Sequence, residues 1–191
     1  MDPSFWQNRW REGRIGFHLP HPNPQLVAHA GQLPPSSRVL VPLCGKSVDL
    51  GWLAARGHPV VGVELVESAA QAFFAEAGLT PERQEDGPFV RYRAGGVEIF
   101  TGDFFATDPR RLGTFDAAFD RAALIALPGE LRIRYAAHLR TLLAPGAVML
   151  LVTIEADAPG GPPFAVPEVE VRTLYARDEV ALLGDTDALE P

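Results

Sequence analysis

Glu64 lies 19 residues after Gly45. A glycine turn after one strand and a carboxylate at the end of the next is the spacing at which doubly wound sheets hold ribose hydroxyls. A carboxylate placed there can accept from both hydroxyls at once. The alternative is a solvated glutamate at a strand end. The turn itself, Pro42-Leu43-Cys44-Gly45-Lys46-Ser47, ends like a phosphate loop. The Walker pattern needs a glycine five positions before Gly45, and Leu40 stands there. The turn therefore suits a nucleoside cofactor that it approaches by backbone. Asp103 and Phe104 pair a polar edge with an apolar face, as an adenine requires; a turn aspartate beside a core phenylalanine would look the same. Arg121 leads into small apolar residues at 122–127. A guanidinium in such company is costly unless paired. It can hold a carboxylate or an anionic nucleophile, or it can be the structural partner of Asp116 or Asp120.

Other reactive residues carry weaker signals. Cys44, the only cysteine, has no neighbouring base and reads as a packed small residue. His18-x-x-His21 could give two metal ligands, but no third lies near it in sequence. His138 falls in a helix, where it reads as packing or surface. Trp6 and Trp10 are one helical turn apart on one face. They would either pack that helix on a sheet or turn their faces to a cation.

These residues need a scaffold, and the apolar pattern supplies one. Strands are expected at 38–43, 59–65, 115–119 and 147–154, with a hairpin at 89–93 and 97–101. Helices are expected at 47–56, with Ser47 as its cap and Gly57 just beyond it, and at 68–77, closed by Gly78. A further helix at 131–143 would end at Pro145-Gly146. The segment 167–176 reads as a helix and 179–189 as a sixth strand. Such alternation means an α/β fold with a mostly parallel sheet covered on both faces. Its ligands sit at the carboxyl ends of the strands.

The chain has 191 residues, fitting one domain, and 47% of them are hydrophobic against 21% charged, which excludes a disordered chain. No apolar run reaches the roughly 18 residues of a membrane span, and the N-terminus lacks the order of a signal peptide. One cysteine excludes an internal disulfide and a cysteine-based zinc site. The expected location is cytoplasmic. A net charge of −7 and a pI near 5.2 argue against a nucleic-acid partner. A monomer is the default. Arginine outnumbers lysine 16 to 1, and the one lysine, Lys46, sits in the candidate turn.

Several motifs occur together in order: Trp6-x-x-x-Trp10, Gly16-Phe17-His18, Val39-Leu40-Val41-Pro42-Leu43-Cys44-Gly45-Lys46-Ser47, Gly57-His58, Val61-Gly62-Val63-Glu64-Leu65, Phe119-Asp120-Arg121-Ala122-Ala123-Leu124 and Gly161-Pro162-Pro163-Phe164. The chain thereby resembles the bacterial branch of the thiopurine S-methyltransferase family, from about Phe5 to about Tyr175. The resemblance implies a Rossmann-like class I methyltransferase fold and S-adenosylmethionine (AdoMet) as methyl donor. It implies an aromatic or heterocyclic thiol as acceptor, with selenium or tellurium compounds also within reach. Trp10, Leu43, Glu64 and Arg121 match the family's cofactor contacts, with Trp6, Asp103 and Phe104 as weaker matches. Phe17 and Arg121 match positions near the acceptor.

On that reading the single domain divides into an N-terminal lid with helices at 1–37, an AdoMet-binding core at 38–154, and an acceptor flap, helix and incomplete strands at 155–191. The flap proper is the Pro/Gly-rich stretch 157–167. Arg121 would stabilise the thiolate, so no dedicated base is needed. Family members continue into a further strand, lying antiparallel between the fifth and sixth, and the resemblance implies that this sequence is one strand short, which makes an inactive AdoMet-binding remnant one alternative. A thiocyanate or halide methyltransferase, a type the wider superfamily includes, is the other.

Overall fold

The fold is described from a computed structural model that covers residues 3–155 and 160–187. Its parallel core consists of β1 (Val39–Pro42), β2 (Val60–Glu64), β5 (Val97–Thr101), β6 (Phe115–Asp120) and β7 (Leu143–Leu151). β3 (Glu82–Asp86) and β4 (Phe89–Ala94) extend the sheet antiparallel at one end. The order across the seven strands is β3-β4-β5-β2-β1-β6-β7. Helices α1 (Pro3–Arg11), α2 (Pro24–His29), α3 (Asp49–Ala55), α4 (Glu67–Glu76), α5 (Pro109–Leu112), α6 (Gly129–Leu142) and α7 (Glu168–Leu174) complete it. The strand order reverses between β1 and β6, so the ends of β1, β2 and β6 open onto one crevice.

Every residue of β1 and β2 is buried. Successive side chains point to opposite faces. Leu40, Val61 and Val63 thus join the core that holds Phe115, Tyr135 and Leu139. Val39, Val41 and Val60 join the one that holds Leu50, Phe74 and Ile99. Strands covered on both faces read as unbroken apolar runs, which is why these two were visible in the sequence. The expected hairpin is also present, with Tyr92 opposite Ile99. Among the described residues no helix is long and apolar enough to cross a membrane.

Gly62 shows how tightly β2 packs beneath the candidate turn. A Cβ added there would lie 2.6 Å from Cys44 Sγ. Gly62→Ala should cost about 1–3 kcal/mol by overpacking, lowering the Tm by roughly 2–12 °C for a chain of this size. Cys44→Ala should restore part of that loss in the double variant, as read by thermal denaturation.

Three elements differ from the sequence expectation. β3 was not foreseen, because Glu82-Arg83-Gln84-Glu85-Asp86 has no apolar face; it is held by pairing with β4 at an exposed edge. The helix α6 stops at Leu142, and β7 already includes Pro145 and Gly146. They fall where pairing jumps from Phe115↔Leu143 to Ala117↔Val148, an irregularity that an edge strand tolerates. The segment 179–187 forms no strand, and residues 188–189 lie outside the described residues. Leu182 and Leu183 are adjacent and both exposed, so the tail presents no single buried face. Side-chain bonds hold it instead, from Arg172 Nη1 to Val180 O and from Gln25 Nε2 to Thr186 Oγ1. Among the described residues β7 is thus the sheet edge. Of the expected flap at 157–167, residues 157–159 lie outside the described residues, and 160–167 are irregular.

Candidate active site

The crevice is floored by the turn after β1. Leu43 (φ +49°) and Gly45 (φ +56°) both adopt left-handed backbone there. A branched-chain residue in that region is strained and persists only where its surroundings hold it. Glu64 does much of the holding. Its Oε2 accepts the Gly45 N–H at 2.8 Å, and its Oε1 accepts the Val66 N–H at 2.9 Å. The carboxylate is buried, and burial pushes its pKa up while the backbone N–H groups pull it back. A carboxylate offers about four acceptor positions. The two used here leave others for a ribose.

The turn's reactive residues are otherwise occupied. The Cys44 thiol is buried, and burial raises its pKa well above the ordinary value. Lys46 pairs with Glu76 at 2.6 Å. The Ser47 hydroxyl accepts the Asp49 N–H at 3.2 Å in the turn before α3, but the helix begins at Asp49 with Val48 in the cap position and no side-chain cap, so the expected start at Ser47 is two residues early.

Over the turn lies the N-terminal segment. Trp6 and Trp10 share a face of α1, and both meet Phe17 edge-on, at 5.8 and 5.9 Å between ring centroids. Trp10 also covers the turn. A Cβ on Gly45 would sit 3.3 Å from its Cζ2, so only glycine lets the indole approach this closely.

Arg121, just past β6, closes the third side. Its Nη1 donates to Phe17 O at 2.6 Å. Burial lowers the guanidinium's pKa, and the charge of Asp49 opposes that shift. Neither sequence candidate for a structural partner engages it. Asp120 accepts from Ala123 N at 3.1 Å, Leu124 N at 3.2 Å and Tyr135 Oη at 2.6 Å. Asp116 accepts from Arg38 N at 2.9 Å.

The structure thus brings Phe17, Leu43 and Arg121 to one pocket, while Glu64 and Trp10 touch its turn at Gly45 without lining it, and Trp6 meets only the Phe17 ring. The pocket itself is lined by Phe17, His18, Leu19, the 41–47 turn, Asp49, Phe119, Arg121 and Ala122. Asp103 lies exposed and caps the turn at 104–106 by accepting the Phe105 N–H at 2.9 Å. The Phe104 ring does not reach the pocket. It is packed in the core against Tyr135 and His138, at 5.3 and 5.2 Å. His138 bonds Thr107 at 2.9 Å, a packing role. His18 lines the pocket, whereas His21 is exposed and contacts Pro22 O. Sequence reasoning missed Asp49; the available signal was a charge between Val48 and Leu50 in an otherwise apolar helix start.

The comparisons with known proteins agree with this geometry. The profile of the family described as Thiopurine S-methyltransferase (TPMT) matches residues 1–191. A thiopurine S-methyltransferase of Pseudomonas fluorescens (strain SBW25) is 51% identical over 179 residues, covering 92% of this chain and 82% of its own. One of Azotobacter vinelandii (strain DJ / ATCC BAA-1303) is 50% identical over 194 residues, covering 99% and 89%. Among solved structures, Burkholderia thailandensis 1,6-didemethyltoxoflavin-N1-methyltransferase, with 1,6-didemethyltoxoflavin and S-adenosylhomocysteine bound, superposes with a TM-score of 0.64 at 21% identity. That match covers 92% of this chain and 74% of the other, and at such identity it speaks for the fold.

The crevice fits the cofactor these relatives imply. Glu64 keeps acceptor capacity at the end of β2, and the 41–47 turn and the Arg121 guanidinium line the same pocket. With a profile match along its whole length and half its residues shared with these relatives, the chain belongs to the thiopurine S-methyltransferase family of AdoMet-dependent methyltransferases.

Proposed function

We propose that the enzyme methylates the sulfur of an aromatic or heterocyclic thiol, bound as a thiolate at Arg121. One observation carries this reading. Arg121 is half-buried at the pocket, its hydrogen bond goes to a neutral carbonyl, and no carboxylate pairs with it directly among the described residues. A desolvated cation with no carboxylate bonded to it favours an anion beside it. A thiolate is the nucleophile that such a cation promotes. Softer selenium and tellurium anions meet the same requirement.

AdoMet, when bound, supplies an electrophilic methyl group on a sulfonium. The chain's own residues then align and desolvate the two partners. Glu64 accepts from the ribose hydroxyls. Leu43 and Gly45 approach by backbone, and Asp103 serves the adenine edge, with buried Phe104 fixing the turn that presents it. Trp6, Trp10 and Phe17 would exclude water, and their rings would supply cation–π attraction to the sulfonium once the segment closes on the cofactor. Arg121 holds the thiolate in line and lowers its proton affinity. No further base is needed, because thiols are already partly ionised near neutral pH.

The test is a methyl-transfer assay with AdoMet and three acceptors of one shape: thiophenol, phenol and aniline. Methyl phenyl sulfide should form, with little product from the other two. Turnover of phenol or aniline in preference to thiophenol rejects the reading, and turnover of thiocyanate or iodide alone favours the small-anion alternative. The aromatic lid gives a second check. Trp10→Ala should weaken AdoMet binding by roughly 2- to 30-fold, the worth of a cation–π contact of about 0.5–2 kcal/mol. Calorimetry should show a smaller loss for S-adenosylhomocysteine, whose sulfur is uncharged. Equal losses would leave Trp10 with a packing role only.

A further inference from the structure

The reaction just described makes no use of Asp49, yet its carboxylate is only 3% exposed and lines the pocket. Its Oδ1 accepts the Asn23 N–H at 2.7 Å, and its Oδ2 accepts the Ser47 O–H at 2.9 Å. Both donors are neutral, so the charge is not cancelled where it sits. A buried carboxylate is costly without compensation. The charged groups that face it are on the other walls. Arg121 and His18 both feel the Asp49 charge. Lys46 is engaged with Glu76. Asp120 is turned into the core against Tyr135.

The geometry fastens one segment at both ends. Phe17 O is held by Arg121, and Asn23 N is held by Asp49. Between these two ties, His18 and Leu19 line the pocket, and residues 20–22 carry the chain on to Asn23. The Ser47 bond ties the same carboxylate to that turn.

We propose that Asp49 is a positioning residue for methyl transfer: it latches the 17–23 segment onto the cofactor turn and sets the position and electrostatic potential of Arg121. The proposal rests on the reading that Arg121 holds an anionic acceptor. Its consequence has a definite sign. A negative charge near Arg121 makes the pocket less positive and raises the pKa of the bound thiol. Removing that charge lowers it.

The pH dependence of kcat reports groups in the bound complex. With thiophenol and saturating AdoMet, Asp49→Asn should move the acidic limb of kcat to lower pH, by about one unit. Asp49→Glu keeps the charge and should hold the limb at its wild-type position. Ser47→Ala leaves the carboxylate with one donor fewer and should move the limb the opposite way, to higher pH. His18→Gln assigns any part of the limb that belongs to His18. A limb that stays put in Asp49→Asn, or that rises, overturns the proposal, since a role confined to stability would leave it unmoved. If Asp49→Asn does not fold, Ser47→Ala decides alone, and an unmoved limb there overturns it too. Wild-type turnover of thiophenol keeps the two failures apart. Its absence rejects the thiol reading and this proposal together, whereas turnover with an unmoved limb rejects Asp49 alone.

Discussion

Replacing Arg121 with methionine should lower kcat/KM for an aromatic thiol by about 10²–10³-fold, the usual cost of removing one preorganised electrostatic group. Two effects add in the same direction. The guanidinium loses its part in stabilising the thiolate, so less of the bound acceptor is ionised. The Phe17 carbonyl also loses its donor, so the aromatic wall over the turn loosens. The two separate by acceptor acidity. A thiol already ionised in solution should lose less than one that is not. Arg121→Lys keeps a charge but not the planar fork, and should fall between methionine and wild type. Steady-state kinetics across a series of ring-substituted thiophenols checks this, and full kcat/KM in the methionine variant would remove Arg121 from the mechanism.

Glu64→Ala should weaken AdoMet binding by on the order of 10²-fold or more, since hydrogen bonds to a charged group contribute about 1.5–3 kcal/mol each. Two ribose bonds are lost, and the Gly45 and Val66 N–H groups that shape the turn are left without their acceptor. The wild type should also show an acid dependence. Burial raises the Glu64 pKa, so it takes up a proton at a higher pH than an ordinary carboxylate. Protonation turns an acceptor into a donor, and AdoMet affinity should fall as pH drops through that raised value. For folding the sign is opposite. The folded carboxyl binds its proton more readily than the unfolded one, so this group alone favours the folded state as pH falls. Calorimetric titration of AdoMet across the acidic range checks the first statement. An affinity flat with pH, equal in wild type and Glu64→Ala, would defeat the ribose role.

The sequence made β1 and β2 legible because strands buried on both faces read as unbroken apolar runs, and the β4–β5 hairpin because two apolar-rich runs flank Gly95-Gly96. It hid β3, whose five residues are polar and whose place depends on β4 alone. It misplaced the α6–β7 junction because Pro145-Gly146 is ordinarily a stop signal, and here it is absorbed in an edge irregularity. In the site, Glu64 and Arg121 could be found from their positions at strand ends. What Arg121 touches could not be found that way, since Phe17 lies 104 residues away along the chain. Asp49 was hidden for a similar reason. Its partner Asn23 comes from a loop whose course has no periodicity to read. Phe104 shows the converse limit. Adjacent to Asp103 in a strand-end loop, it has the right chemistry for a purine, but its ring is claimed by Tyr135 and His138.

Gly62 and Cys44 have a meaning beyond packing. An AdoMet-dependent methyltransferase that carries its only cysteine in a pocket-lining turn faces a hazard of its own making: a thiolate there would compete for the methyl group. The Sγ sits against the space where a β2 side chain would be, and burial keeps it protonated far above neutral pH. As a thiol it is a poor nucleophile. The space left at position 62 thus gives the one thiol of a methyltransferase a buried berth in its protonated form.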